Sequence, residues 1–151
     1  MSTLRPILLA EDNPNDVELI VTALKDAALA NEIIPTHDGA QALDFLFRRG
    51  AYAKRDPIPP AVVLLDLKMP KIDGREVLRQ IRADPNLRLL PVVVLTSSRE
   101  EQDLFETYNL GANAYLVKPV EFETFISAVG KLGVFWALLN EPPPIHRGPA
   151  T

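Results

Sequence analysis

Cysteine is absent from the sequence. That excludes a disulfide framework, thiolate metal sites and a cysteine nucleophile, and it suits folding in a reducing compartment. Long apolar runs are absent too. None approaches the roughly 20 residues that cross a bilayer. After Met1-Ser2-Thr3-Leu4-Arg5-Pro6 the first apolar run covers only Ile7 to Ala10, too short for a signal peptide. A cytoplasmic location and no membrane partner are the expectation. Histidine is scarce: His37 and His146 have no companions at ligand spacing and read as solvated or locally bonded. Positive charge is in deficit, with 16 Lys and Arg against 20 Asp and Glu, and it is scattered along the chain. A nucleic-acid partner, which needs a clustered basic face, is not expected. No repeat is present, and low complexity is confined to Pro142-Pro143-Pro144.

What is there is an ordinary globular composition, 47% apolar and 24% charged over 151 residues, enough for one domain with one sizeable core. Apolar runs of strand length alternate with segments of helical period. Ile7-Leu8-Leu9-Ala10 reads as a buried strand. Asn13-Pro14 starts a helix, Asn13 as cap and Pro14 in the first turn, with Val17, Ile20, Val21, Leu24 and Ala28 on one face. Glu32 to Thr36 is a weaker strand, placed at a sheet edge because Pro35 cannot donate to a ladder. Asp38 can cap a second helix carrying Leu43, Phe45, Leu46 and Phe47. Gly50 to Pro60 reads as a long polar loop.

Ala61 to Leu65 is the most clearly buried strand and ends at Asp66. A third helix follows with Val77, Leu78 and Ile81 inward; Val92 to Leu95 is a fourth strand, running into Thr96-Ser97-Ser98. Leu104, Phe105 and Tyr108 mark a fourth helix that Gly111 stops. Ala114 to Val117 is a fifth strand, ending at Lys118-Pro119, and a last helix begins near Glu121. Strands that are apolar throughout indicate a parallel sheet covered on both faces. The expected fold is therefore α/β, a doubly wound five-stranded parallel sheet with right-handed crossovers and five helices.

In such a sheet ligands bind beyond the carboxyl ends of the strands. The residues there are Glu11 and Asp12 after the first strand, Asp66 after the third, Thr96 after the fourth and Lys118 after the fifth. Three clustered carboxylates repel one another unless a cation joins them. A hard divalent ion such as Mg²⁺ (or Mn²⁺) prefers oxygen ligands and keeps waters or phosphate oxygens elsewhere in its shell. A carboxylate can attack phosphorus to give an aspartyl-phosphate. That step needs mostly positioning and charge neutralisation, which a metal, a lysine and a hydroxyl supply.

Glu11-Asp12-Asn13, Asp66-Leu67-Lys68-Met69-Pro70-Lys71-Ile72-Asp73-Gly74, Thr96-Ser97 and Lys118-Pro119 resemble, in that order, the receiver domains of bacterial response regulators. The resemblance spans residues 5–130 and implies a flavodoxin-like strand order 2-1-3-4-5. It implies that Asp66 is the phosphoacceptor, and that Asp12, Asp66 and the backbone carbonyl of Lys68 ligate the metal with Glu11 beside them. By the same resemblance Lys118 pairs with phosphoryl oxygens, Thr96 hydrogen-bonds one of them, and Tyr115 moves inward with Thr96. Ser97 stands at a variable position that tunes phosphoryl lifetime. The Lys118-Pro119 bond is expected to be cis, and Pro70 and Gly74 to shape the loop after the acceptor. Glu11 replaces the aspartate many receivers carry, which leaves open whether it ligates directly or through water.

Plainer roles stand beside these. Asp66 alone would be a solvated acid or a cap, Asp12 can cap the first helix, Thr96 the fourth, and Tyr115 can be core. Asp73-Gly74 reads as turn chemistry. Three other functions compete. An Asp-based phosphatase of the haloacid dehalogenase type resembles a pattern with a second aspartate two residues on, where this chain has Lys68. A degenerate receiver could act as a phosphorylation-independent scaffold. A flavodoxin-like electron carrier lacks support, since Glu11-Asp12 would repel a flavin phosphate.

Beyond residue 130 the last helix continues. Phe122, Phe125, Val129, Leu132, Trp136 and Leu139 recur at heptad-type spacing, and Val134, Phe135 and Leu138 add apolar surface off that seam. Residues 131–151 are therefore expected to form a C-terminal helix extension and Pro-rich tail, with Val134, Phe135, Trp136, Leu138 and Leu139 in a homodimer contact. The long Gly50 to Pro60 loop and this tail resemble the stand-alone regulators that partner bacterial phytochrome kinases. A light-sensing histidine kinase would then be the phosphodonor, the output would be a protein contact, and the chain would catalyse only its own phosphorylation and dephosphorylation.

Overall fold

The structure is a computed structural model and describes residues 5–26, 31–96 and 109–117. Strand β1 (Ile7–Ala10) is followed by α1 (Pro14–Asp26), β2 (Ile33–Thr36), α2 (Gly39–Phe47) and, after a short 3₁₀ turn at Gly50–Tyr52, β3 (Val62–Leu65). Helix α3 (Gly74–Ala83), β4 (Val92–Thr96) and β5 (Ala114–Val117) complete the described elements. The strands lie side by side in the order β2-β1-β3-β4-β5, each ladder parallel. This is the flavodoxin-like α/β architecture.

The reason these strands lack polar alternation is visible in the packing. Successive residues point to opposite sheet faces, and both faces are covered. Leu8, Ala10, Val63, Leu65 and Val92 pack with Leu43, Leu46, Val77, Leu78 and Ile81 from α2 and α3. Ile7, Leu9, Val62, Leu64, Val93 and Leu95 pack with Ile20 and Leu24 from α1. Strand β2, less buried than β1 and β3, pairs among the described residues with β1 only, and Pro35 is exposed on it.

Side-chain caps start the three described helices, two of them at residues the sequence marks as caps. Asn13 Oδ1 accepts from the amides of Asn15 (2.9 Å) and Asp16 (3.3 Å), so Asn13 caps α1. Asp38 Oδ1 accepts from Gln41 N at 2.7 Å. Asp73 Oδ1 accepts from Glu76 N at 3.0 Å. Asp73-Gly74 is thus a helix start rather than an isolated turn. The Gly50 to Pro60 segment is also more ordered than a polar loop. Its 3₁₀ turn is followed by Arg55, whose guanidinium sits 4.0 Å over the Phe45 ring and donates to the carbonyls of Phe45 and Ile58.

Arg82 performs a similar task on the other side. Its guanidinium donates to the carbonyls of Gly111 (2.9 Å), Arg88 (3.1 Å) and Leu90 (2.6 Å) and to Asn113 Oδ1 (2.9 Å). Desolvation lowers its pKa from the usual guanidinium value. Asn113 in turn accepts from Val92 N at 2.8 Å. One side chain therefore joins α3, the α3–β4 loop and the approach to β5. Arg82→Ala is expected to destabilise the fold by about 2–3 kcal/mol, because it strands several carbonyls at once. Urea unfolding measures it, and a change below about 0.5 kcal/mol would contradict this role.

Candidate functional site

The parallel register decides which side chains share an edge. Ala10 is paired with Leu65, so the residues after them, Glu11 and Asp66, leave adjacent strands at the same level. Two backbone bonds hold this junction: Asp66 N donates to Ala10 O at 2.9 Å, and Glu11 N to Thr36 O at 3.0 Å. Thr96 ends β4, opposite Val117 of β5, so those strands finish on the same side of the sheet. Tyr115 lies within β5, opposite Val94. Ser97, Lys118 and Pro119 lie outside the described residues, as do the dimer candidates Val134, Phe135, Trp136, Leu138 and Leu139 and the fourth and fifth helices.

Among the described residues Glu11, Asp12 and Asp66 form one acidic cluster, each offering a carboxylate oxygen within 4.8 Å of the others. Their exposures differ in a useful way. Glu11 is 1% exposed and Asp66 6% exposed, while Asp12 faces solvent. Local bonds orient the two buried acids. Glu11 Oε2 accepts from Asn13 N at 3.0 Å. Asp66 Oδ1 accepts from Lys68 N at 3.1 Å, which folds the chain back over the acid.

The donor set fits a hard divalent cation. All three groups are carboxylates, they converge, and the solvent-facing Asp12 leaves a side open for water or phosphate oxygens. With such a cation the mutual repulsion of the acids becomes attraction to one centre. Beside it Asp66 retains a carboxylate whose second oxygen can act as a nucleophile.

Two glycines make the approach to Asp66 possible. A Cβ on Gly74 would lie 2.2 Å from the Asp66 carbonyl oxygen, so α3 starts directly against the backbone of the acid. Gly74 N also donates to Leu67 O at 2.8 Å. A Cβ on Gly39, at the start of α2, would lie 1.8 Å from the Ile72 carbonyl oxygen. Between them Lys71 has φ +68°, and Ile72 N donates to Pro70 O at 2.9 Å across it. That is a tight three-residue turn of a strained kind. Sequence reading points to Pro70 and Gly74 but misses Gly39, Thr36 and Lys71. The one available signal is the repeated Asp-Gly at 38–39 and 73–74, a cap followed by a residue with no side chain.

A cleft of about 250 Å³ is separate from this site. It is lined by Leu46, Phe47, Arg55, Pro57 and Leu87, from the end of α2 and from loops that lead into strand starts.

Comparison with known proteins agrees with this geometry. The chain is 40% identical over 130 residues to Response regulator Rcp1 of Synechocystis sp., covering 86% of this chain and 87% of that protein. The crystal structure of the Mn²⁺-bound form of Rcp1 is similar with TM-score 0.85 and 38% identity, over 93% of this chain and 99% of that one. The phosphorylated cyanobacterial phytochrome response regulator RcpA is similar with TM-score 0.86 and 37% identity, over 94% and 100% of the two chains. The bacteriophytochrome response regulator AtBRR is 59% identical with TM-score 0.75, over 93% and 100%. The response regulator receiver domain family matches residues 7–130. A parallel sheet with an oxygen-rich acidic pocket at its carboxyl edge, together with these matches, places the chain in the receiver-domain family of two-component response regulators, with bacteriophytochrome-associated relatives.

Proposed function

We propose that this chain is a stand-alone response regulator that accepts a phosphoryl group on Asp66 from a sensor histidine kinase of the phytochrome type and signals through protein contacts. The observation that carries the reading is the convergence of Glu11, Asp12 and Asp66 within 4.8 Å, with Asp66 nearly buried. Asp12, Asp66 and the Lys68 carbonyl would hold Mg²⁺ or Mn²⁺, with Glu11 beside it or bound through water. When bound, the ion neutralises charge on the acids and on phosphoryl oxygens. An Asp66 carboxylate oxygen attacks phosphorus; the P–N bond of the kinase phosphohistidine breaks as the new P–O bond forms, and the departing imidazole nitrogen takes a proton from water.

The resemblance to receivers supports the remaining roles. Lys118 pairs with phosphoryl oxygens, Thr96 hydrogen-bonds one, Ser97 tunes the lifetime, and Tyr115 follows Thr96 inward. Pro119 follows a cis bond. Residues 5–130 are the receiver domain, with five strand–helix units. Residues 131–151 are the extended helix and tail of a homodimer arm. The chain acts as a cytoplasmic signalling protein rather than an enzyme on other substrates, and Lys68 in place of a second aspartate disfavours the phosphatase reading.

Transfer of radiolabelled phosphate from an autophosphorylated phytochrome-type kinase tests the partner assignment: label moving to this chain within seconds supports it, and label retained on the kinase overturns it. Ending the chain after Gly133 is expected to give a monomer by light scattering. An unchanged dimer would sink the arm hypothesis.

A further inference from the structure

Glu11 and Asp66 belong to different strands, and a pocket for a small cation tolerates little error in their separation. Both acids are tied to one short segment, Thr36 to Gly39, at the junction of β2 and α2. At one end Thr36 is fully buried; its Oγ1 donates to Leu9 O at 2.9 Å, and its carbonyl accepts from Glu11 N at 3.0 Å. In the middle, Asp38 Oδ1 accepts from Gln41 N, while Gln41 Oε1 accepts from His37 N, both at 2.7 Å. These reciprocal bonds lock the segment to the first turn of α2.

At the other end Gly39 lies against Ile72. An added Cβ would be 1.8 Å from the Ile72 carbonyl oxygen and 2.6 Å from its carbonyl carbon. Two residues on, Gly74 makes the same kind of contact with the Asp66 carbonyl. The path from Gly39 through Ile72 and Gly74 to Asp66 therefore runs through backbone atoms at closest approach, which transmit a displacement instead of absorbing it. Lys71 Nζ lies 3.5 Å from Asp38 Oδ2. The Lys71 end of that pair is well exposed, so it contributes little and the steric contact dominates.

We propose that Gly39 is a positioning residue for the acidic pocket: through Ile72 and Gly74 it sets where Asp66 stands relative to Glu11, and so sets the cation affinity. This rests on reading Glu11, Asp12 and Asp66 as a cation pocket. Gly39 offers no ligand atom of its own to the pocket, and the neighbour it meets at closest approach is Ile72. Its effect is carried by the capped segment that also holds the backbone of Glu11.

Calorimetric titration of the full chain with Mn²⁺ tests this, run well below the melting temperature so that only folded protein is read. Gly39→Ala is expected to weaken binding at least about tenfold, the scale of outer-shell effects on metal sites. Arg55→Gln, remote from the pocket, is expected to lower thermal stability while leaving Mn²⁺ affinity within about twofold, which separates positioning from general destabilisation. Should Gly39→Ala fail to fold, Asp38 supplies the second pair. Asp38→Asn keeps a capping oxygen and is expected to bind Mn²⁺ several-fold more tightly than Asp38→Ala, which loses it. Wild-type binding with an unchanged Gly39→Ala affinity, or equal affinities for the two Asp38 variants, overturns the positioning role and leaves the pocket reading intact. No Mn²⁺ binding by the wild-type chain overturns the pocket reading and the inference with it.

Discussion

Asp66→Asn is expected to abolish the phosphate adduct that acetyl phosphate and Mg²⁺ form on the wild-type chain, as read by intact mass. The substitution is close to isosteric. The asparagine Oδ1 can still accept from Lys68 N, the bond that folds the chain back over this position, and the backbone bond from residue 66 to Ala10 is untouched. Core packing is also unaffected, because residue 66 belongs to neither apolar cluster. What disappears is the nucleophile: a neutral amide oxygen attacks phosphorus far more poorly than a carboxylate. The loss is therefore chemical and not structural, and circular dichroism should show an unchanged fold. Glu11→Gln and Asp12→Asn leave the nucleophile in place but remove charge from the pocket. They are expected to slow adduct formation by about 100-fold, the usual scale for one electrostatic contributor. An Asp66→Asn protein that gains phosphate at the wild-type rate would place the acceptor elsewhere.

Gly74→Ala is expected to cost about 3 kcal/mol of stability, a large effect for one methyl group. The added Cβ would stand 2.2 Å from the Asp66 carbonyl oxygen and 2.7 Å from the Leu67 Cα. Neither neighbour is a flexible side-chain tip; both are backbone, fixed by the Asp66–Ala10 and Gly74–Leu67 hydrogen bonds. Helix α3 must therefore move off the sheet edge, and with it Val77, Leu78 and Ile81, all fully buried against β1 and β3. The higher helix propensity of alanine offsets only about 1 kcal/mol of this. For a chain of this size the net loss corresponds to a fall in melting temperature of about 6–12 °C. A melting temperature within about 2 °C of wild type would mean that the α3 start has freedom to shift.

These two residues mark the boundary between what the sequence discloses and what only the fold reveals. Apolar runs without polar alternation announce a sheet covered on both faces, and β1, β3 and β4 fall within one or two residues of those runs. Asn13 and Asp38 cap helices as their positions announce, through local bonds two or three residues apart, whereas Asp73, which reads as turn chemistry, proves to cap α3. Pro35 identifies an edge strand because a missing N–H is a property of the residue itself. Glu11, Asp12 and Asp66 could be grouped because strand ends in a parallel sheet share an edge. By contrast the Gly39–Ile72 contact depends on how two helix starts meet in space, and no periodicity encodes it. The four acceptors of Arg82 include Gly111 and Asn113, 29 and 31 residues away, so a lone arginine in a helical pattern gives no hint of them. Thr36 looks like any strand-end threonine until its hydroxyl is found buried on the Leu9 carbonyl.

Phosphoryl acceptance at this site requires Glu11, Asp12 and Asp66 to act together on one ion. Titration with Mn²⁺ followed by electron paramagnetic resonance addresses that directly in the wild-type chain and in Glu11→Gln, Asp12→Asn and Asp66→Asn. One ion per wild-type chain is predicted, with binding weakened at least about tenfold by Asp12→Asn and by Asp66→Asn, and measurably by Glu11→Gln. Mn²⁺ binding left unchanged by all three substitutions would contradict it.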